Sequence, residues 1–383
     1  MAYRRSVAAT LVFAAAIFTT SAAHAQSAPT ATQQHYLTLA SAGVNRARQS
    51  WWDRRLRWYD ARLGARGRYP LATIWDAVPL FEALDSLAIA DPTAARRRAV
   101  DNFALRAERY FVPSVGAHGG YAPYLGDRGR ARTWFDDNSW WGLAFVDAYG
   151  ATHRSRYLAD AERALSFDSS SGWDARGGGM WWNTDHPYKA GESLAAAMWL
   201  SAQLYRLTHQ ARYLTFATAL DNWGRAHLWD SDGMLARSNL DPTPMPYVEG
   251  AMIAADDALC QATAVQRWCS EADSLLNRTL QRFPVLGMGP QFDAIYLRAL
   301  LYDYADTGDT REYSLATQNA EQALANASGG LGLYLRAWDG GPITDHNAAP
   351  GMLQTHAATV SLLAALAASR PPNAAQVARR TIG

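Results

Sequence analysis

Lysine is almost missing from this chain: of 36 basic residues, only Lys189 is not arginine. A compact ammonium and a planar guanidinium are not interchangeable at a tight site, so the one lysine that survived such a bias points to a position that demands it. Cysteine is nearly as scarce, with Cys260 and Cys269 nine residues apart and no histidine cluster nearby. That spacing makes a poor zinc site but suits a disulfide clipping a helix-turn-helix in an oxidising compartment. Long apolar runs are also lacking. The one at the N-terminus, Val7 to Phe18, is shorter than the roughly 20 residues a membrane span needs. A net charge of +1 gives no reason to expect nucleic acid or an anionic membrane as a partner.

The N-terminal run has another meaning. Arg4 and Arg5 precede it, and Ala23-His24-Ala25 follows as a small-x-small cleavage site, so residues 1–25 read as a secretion signal. Residues 26–34 read as a disordered leader, and 35–383 as one domain of a periplasmic or secreted protein, expected to be a monomer. Asp230-x-Asp232-Gly233 lacks the remaining ligands of a calcium loop and reads as a turn. His346 and His356 have no serine or cysteine elbow to serve. No metal or cofactor is expected.

What the chain does have is helix, in pairs. An aromatic followed one turn later by alanine recurs at Tyr157, Tyr213, Trp268 and Tyr313, each time after an almost wholly apolar helix. Further pairs are predicted from Tyr36–Arg62 with Leu71–Ala88, and from Ala94–Tyr110 onward, with Met352–Ala368 closing the chain. Helices apolar on every side are buried on every side. Six such helices inside six amphipathic ones make an all-α (α/α)6 barrel of about twelve helices, and no strand pattern competes. The long loops, 112–133, 169–190, 230–248, 285–291 and 329–350, all precede inner helices, so one face is elaborate and is where a groove is expected.

The elaborate face centres on Trp134-Phe135-Asp136-Asp137-Asn138-Ser139-Trp140-Trp141. One capping side chain suffices at a helix entrance, and a second adjacent carboxylate costs repulsion unless the helix dipole or a ligand offsets it. Two carboxylates between aromatics match what glycosidic cleavage needs: a general acid, a partner carboxylate and surfaces for sugar rings to stack on. Trp140 and Trp141 lie about 100° apart on the helix, so at most one faces the cleft. Asp256-Asp257 is a second pair, but it lies inside a helix with one member expected to face solvent. Candidate substrate contacts are Trp75, Asp76, Asn138, Trp140, Trp182, Tyr188, Lys189, Tyr247, Glu249 and Phe292.

These motifs resemble glycoside hydrolase family 76, the endo-α-1,6-mannanases. Phe135-Asp136-Asp137 with Trp140-Trp141 is similar to the family's tyrosine-Asp-Asp and tryptophan pair, Gly177 to Trp182 to its Gly-rich element, and Tyr188-Lys189 to its Tyr-Lys-Asn. The resemblance implies a retaining mechanism with Asp136 as nucleophile and Asp137 as acid/base. Three departures, Ala190 after Tyr188-Lys189, Tyr247-Val248-Glu249-Gly250, and Phe292-Asp293-Ala294, imply altered contacts in the far half of the cleft, with Glu249 as a third carboxylate near the mouth. The expected function is therefore hydrolysis of an α-linked, mannan-type polysaccharide. A transglycosylase, a polysaccharide lyase and a non-catalytic glycan-binding protein are the alternatives.

Overall fold

The computed structural model describes residues 28–64, 71–343 and 351–373; the expected secretion signal lies outside them. The described residues form twelve α-helices. The outer ones are α1 (Ala31–Ser50), α3 (Ala94–Ala107), α5 (Ser155–Phe167), α7 (Ala211–His227), α9 (Gln266–Arg282) and α11 (Thr310–Asn326). The inner ones are α2 (Ile74–Ala90), α4 (Phe135–Thr152), α6 (Gly191–Thr208), α8 (Pro246–Thr263), α10 (Pro290–Thr307) and α12 (Leu353–Ala368). Each inner helix packs on the next in the order α2, α4, α6, α8, α10, α12 and back to α2, and each also packs against an outer helix. This is the (α/α)6 barrel that the apolar pattern requires.

The inner-to-outer links are short because the inner helices stop abruptly. His153, His209, Ala264 and Gly308 cap α4, α6, α8 and α10 in the left-handed region, with φ of 56°, 54°, 55° and 74°. The outer helices then start within a few residues. The repeated aromatic sits in the first turn of each, buried against its inner partner, with the alanine one turn on buried beneath it. The preceding arginine lies over the ring at Tyr157, Tyr213 and Trp268, between 4.3 and 4.7 Å from the centroid. Cys260 and Cys269 are joined and tie the end of α8 to the start of α9.

Two boundaries differ from the sequence reading. Helix α1 begins at Ala31, inside the expected leader, because Thr30 and Gln33 form a reciprocal capping box. It ends at Ser50 rather than at Arg62. There the chain turns into a hairpin, β1 (Trp52–Asp53) paired antiparallel with β2 (Trp58–Tyr59), whose turn is closed by Asp53 accepting the Leu56 N–H at 2.8 Å. Burial decides this: Trp51 and Trp58 are wholly inside, and the Trp58 indole N–H donates to the Tyr110 hydroxyl at 2.7 Å. A second short ribbon pairs β3 (Phe111–Val112) with β4 (Gly120–Tyr121) ahead of α4. Asp256 and Asp257 are both buried, so neither faces solvent.

The barrel axis is not apolar throughout. Arg298 of α10 donates to Asp147 of α4 at 2.8 Å, lies 3.3 Å from Glu82 of α2 and donates to Ser86 at 3.1 Å. Glu82 also accepts from Ser361 of α12 at 3.0 Å. One guanidinium thus joins four inner helices. Removing one partner of such a buried set leaves uncompensated charge. Arg298→Met is therefore expected to cost about 3–5 kcal/mol in urea or thermal unfolding; a change within experimental error would remove this hub as a stabilising element.

Candidate active site

The loops before the inner helices lace together over one end of the barrel. Trp134, the residue before α4, pairs with Asn183; Trp181 pairs with Lys189; Ala190 pairs with Ser238. The Phe135 N–H donates to Trp182 O at 3.2 Å and the Gly191 N–H to Arg237 O at 2.6 Å. Gly191 stands where a Cβ would lie 2.1 Å from Ala236 O, so only glycine allows that approach. The starts of α4, α6 and α8 are thereby held against one another.

Asp136 and Asp137 occupy the first turn of α4, half-buried at this mouth. Burial is the largest cause of a raised pKa for both. Asp136 is pushed up to about 7, against the opposing pull of the backbone N–H groups of residues 136 and 137 and of the Arg237 charge. Asp137 is pushed well above the carboxylate range, by burial first and then by the negative charges of Asp136 and Asp76. Burial and mutual repulsion thus keep the two carboxyls from being ionised together. Oδ1 of Asp136 is buried without a hydrogen-bond partner.

Aromatic rings surround the pair in two groups. Trp182 stacks on Tyr188 at 5.1 Å between centroids, with Trp134 edge-on to Trp182 at 6.2 Å. Phe292 lies between Trp75 (5.8 Å) and Tyr247 (5.0 Å). All but Tyr247 are half-buried, so their faces remain partly open, and Tyr188 and Tyr247 both lie within electrostatic reach of Asp136.

The other expected contacts are occupied with the protein itself. Asn138 is buried: its side chain accepts from the Tyr121 N–H at 2.8 Å and donates to the carbonyls of Tyr121 (3.0 Å) and Trp134 (2.9 Å), locking β4 onto α4. Lys189 donates to Asp174 at 2.9 Å and to Gly179 O at 3.3 Å, with its ammonium 3.4 Å from the Trp181 ring centroid. It pins the glycine-rich loop instead of facing a ligand, and its contact holds Asp174 down to about 2. Glu249 is turned under its loop, where it accepts the Leu235 N–H at 3.0 Å and is shut off from the mouth. Trp140 is 2% exposed, packed between Trp199 and Tyr247 below the floor. Asp76 closes a capping box with Thr73 while adding its charge to the field on Asp137.

Three residues at the site escaped the sequence reading. Glu192, in the first turn of α6, is buried and pushed up to about 8, by burial first and then by Asp136. Arg237 lies 3.9 Å from Glu192 and acts on Asp136. Asp168, in a π-helical turn after α5, accepts from the Ser139 hydroxyl at 2.6 Å and is also within reach of Asp136. Nothing in the sequence separates Glu192 from an ordinary first-turn acid of a helix.

Away from the mouth, Asp221, Asp256 and Glu271 offer oxygens within 4.8 Å of one another. Arg225 reaches Asp221 at 2.6 Å and Glu271 at 2.8 Å, and Arg267 reaches Glu271 at 3.1 Å and also pairs with Asp221. Guanidinium groups thus hold the position a cation would take.

A model described as Glycosyl hydrolase family 76 matches residues 113–288, the stretch carrying both aspartates and the glycine-rich loop. An α-mannanase of Bacteroides thetaiotaomicron superposes with a TM-score of 0.76 at 21% identity, over 91% of this chain and 97% of that one. An inactive variant of an α-1,6-mannanase of Salegentibacter sp. HEL1_6, with two neighbouring aspartates replaced by alanine and α-1,6-mannotetrose bound, gives 0.70 at 17%, over 87% and 98%. Dfg5 of Chaetomium thermophilum, in complex with glucosamine, gives 0.69 at 16%, over 88% and 92%. A search of curated proteins matched none. The resemblance to glycoside hydrolase family 76 is borne out over residues 113–288, and the solved structures share the fold.

Asn138→Ala would leave the Tyr121 N–H and two carbonyls without partners. The expected cost is about 3 kcal/mol of stability, read from the denaturant midpoint, whereas a pure substrate contact would leave that midpoint unmoved.

Proposed function

We propose that this chain, with its motifs of glycoside hydrolase family 76, is an exported endo-α-1,6-mannanase-like hydrolase acting with retention through Asp136 and Asp137. The observation that carries the reading is a pair of adjacent carboxyls in the first turn of α4, half-buried at a mouth where aromatic faces stay partly open. Asp137, whose proton is retained by burial and by the charges of Asp136 and Asp76, gives it to the leaving glycosidic oxygen as the bond to the anomeric carbon breaks. Asp136, ionised, bonds to that carbon and forms a glycosyl ester. Water then attacks the anomeric carbon, gives its proton to Asp137 and displaces Asp136 as carboxylate.

Neighbouring residues begin with Cα atoms about 3.8 Å apart, which favours the carboxyl separation of about 5–5.5 Å used in retention. Trp182, Tyr188, Trp75 and Phe292 supply the faces for sugar rings, and the mannotetrose-bound relative supports an α-1,6-mannan as the substrate. Export rests on the N-terminal signal and on the Cys260–Cys269 bridge. No helix among the described residues is long and apolar enough to cross a membrane.

Purified protein incubated with α-1,6-mannan should release oligosaccharides whose anomeric signal starts in the α configuration. Asp136→Asn and Asp137→Asn should each lower kcat by about 10³-fold or more while folding normally. Full activity in either variant overturns the mechanism.

The pH dependence has a definite sign. Asp136 must be ionised, so kcat/KM falls as pH drops through about 7. Asp137 must be protonated, so activity falls again at higher pH, where the pair loses its second proton. A profile with its maximum well below neutrality contradicts this ordering.

A further inference from the structure

The whole-chain charge of +1 hides a local concentration around the β1–β2 hairpin. Arg48 on α1, Arg54, Arg55 and Arg57 in the hairpin turn, and Arg106 and Arg109 at the end of α3 converge there. Among the described residues, none of these six has a carboxylate within ion-pair distance. Some surface arginines elsewhere are matched, as Arg154 and Arg156 are to Asp101, Arg163 to Glu108 and Arg206 to Asp306; what sets these six apart is that they converge on one hairpin. The like charges act on one another: burial and the Arg106 and Arg57 charges hold Arg109 below its usual value, against the opposing effect of Tyr110. Asp53 closes the turn and Asp60 is buried beside it, so two carboxylates stand against six guanidinium groups.

Three of these arginines, Arg48, Arg54 and Arg55, line a concavity of about 1080 Å³ together with Trp52, Asn45 and Gln49, with Asp53 and Asp60 also in its wall. The Trp52 ring is half-buried, with the guanidinium of Arg48 6.0 Å and that of Arg106 5.6 Å from its centroid. A flat ring between two cations, with side-chain amides beside it, combines a stacking face, hydroxyl-binding groups and anion-binding forks. The hollow is open and polar, which fits a chain polymer better than a flat bilayer. It also lies at the mouth end of the barrel, because α1 and α3 both run toward the loops that enter α2 and α4.

We propose that this arginine-lined hollow is a second, non-catalytic glycan site that binds an anionic polysaccharide through its phosphate, sulfate or carboxylate groups. It would hold such a polymer beside the mouth, and it stands whether or not the hydrolase reading holds, since it needs no cleavage.

The test uses the full chain carrying Asp137→Asn, so that no glycan is consumed, and measures binding to phosphomannan, dextran sulfate, polygalacturonate and neutral α-1,6-mannan. Binding to at least one anionic polymer is expected, weakening as salt rises from about 0.05 to about 0.3 M. The triple charge reversal Arg48→Glu, Arg54→Glu, Arg55→Glu should lower that affinity by about tenfold or more, since these exposed side chains supply most of the attraction. In the otherwise unaltered chain it should leave the unfolding midpoint and the cleavage of short neutral oligosaccharides unchanged. Which anionic polymer binds identifies the acid group. No binding to any of the three, binding undiminished by the reversal, or binding only to anionic lipid vesicles overturns the proposal.

Discussion

A helix with no polar face cannot end a layer; it must be surrounded. Six of them satisfy one another only by closing into a ring, and that closure dictates nearly everything else in this molecule. With all six running the same way, their N-termini meet at one end, where the unsatisfied N–H groups and helix dipoles favour negative charge. Five of the six carry an acid in the first turn: Asp76, Asp136 with Asp137, Glu192, Glu249 and Asp293. The same closure removes water from those acids, so burial raises their pKa values while the dipoles oppose the rise. Carboxyls poised between charged and neutral follow from the architecture.

What distinguishes the acids is what else they touch. Asp76 and Asp293 are tied to the backbone at their own helix starts, and Glu249 to Leu235. Asp136 and Glu192 keep an oxygen with no protein partner, as Glu249 and Asp293 also do, but only Asp136 acts on both Asp137 and Glu192. The polar hub around Arg298 lies deeper on the same axis, where ion pairs and not dipoles settle the charges. A ring of similar positions thus separates according to which carboxyls share one field: Asp136, Asp137 and Glu192 do, while Glu249 is turned beneath its loop.

That separation explains which features the sequence reveals. The barrel is legible because all-round apolar helices alternate with amphipathic ones, and the aspartate pair because two adjacent acids between aromatics exceed what a cap requires. The hairpin after α1 is not legible, since its arginines prolong the amphipathic pattern and only the burial of Trp51 and Trp58 ends the helix. Glu192 reads as an ordinary first-turn acid, and Glu249 as a residue of the mouth; one is near Asp136 and the other beneath a loop for reasons of loop lacing that lie far away in sequence. Asn138 and Lys189 are recognisable as special residues, but their partners, Tyr121 and Asp174, come from separate loops.

The placing of Lys189 has a practical side. Its ammonium, the only primary amine on any side chain, lies under an indole ring and in an ion pair, 8% exposed. Amine-directed reagents therefore find no exposed lysine on the described surface. A chain with 35 arginines is in this respect nearly blank, and labels aimed at amines would leave its guanidinium surface as it is.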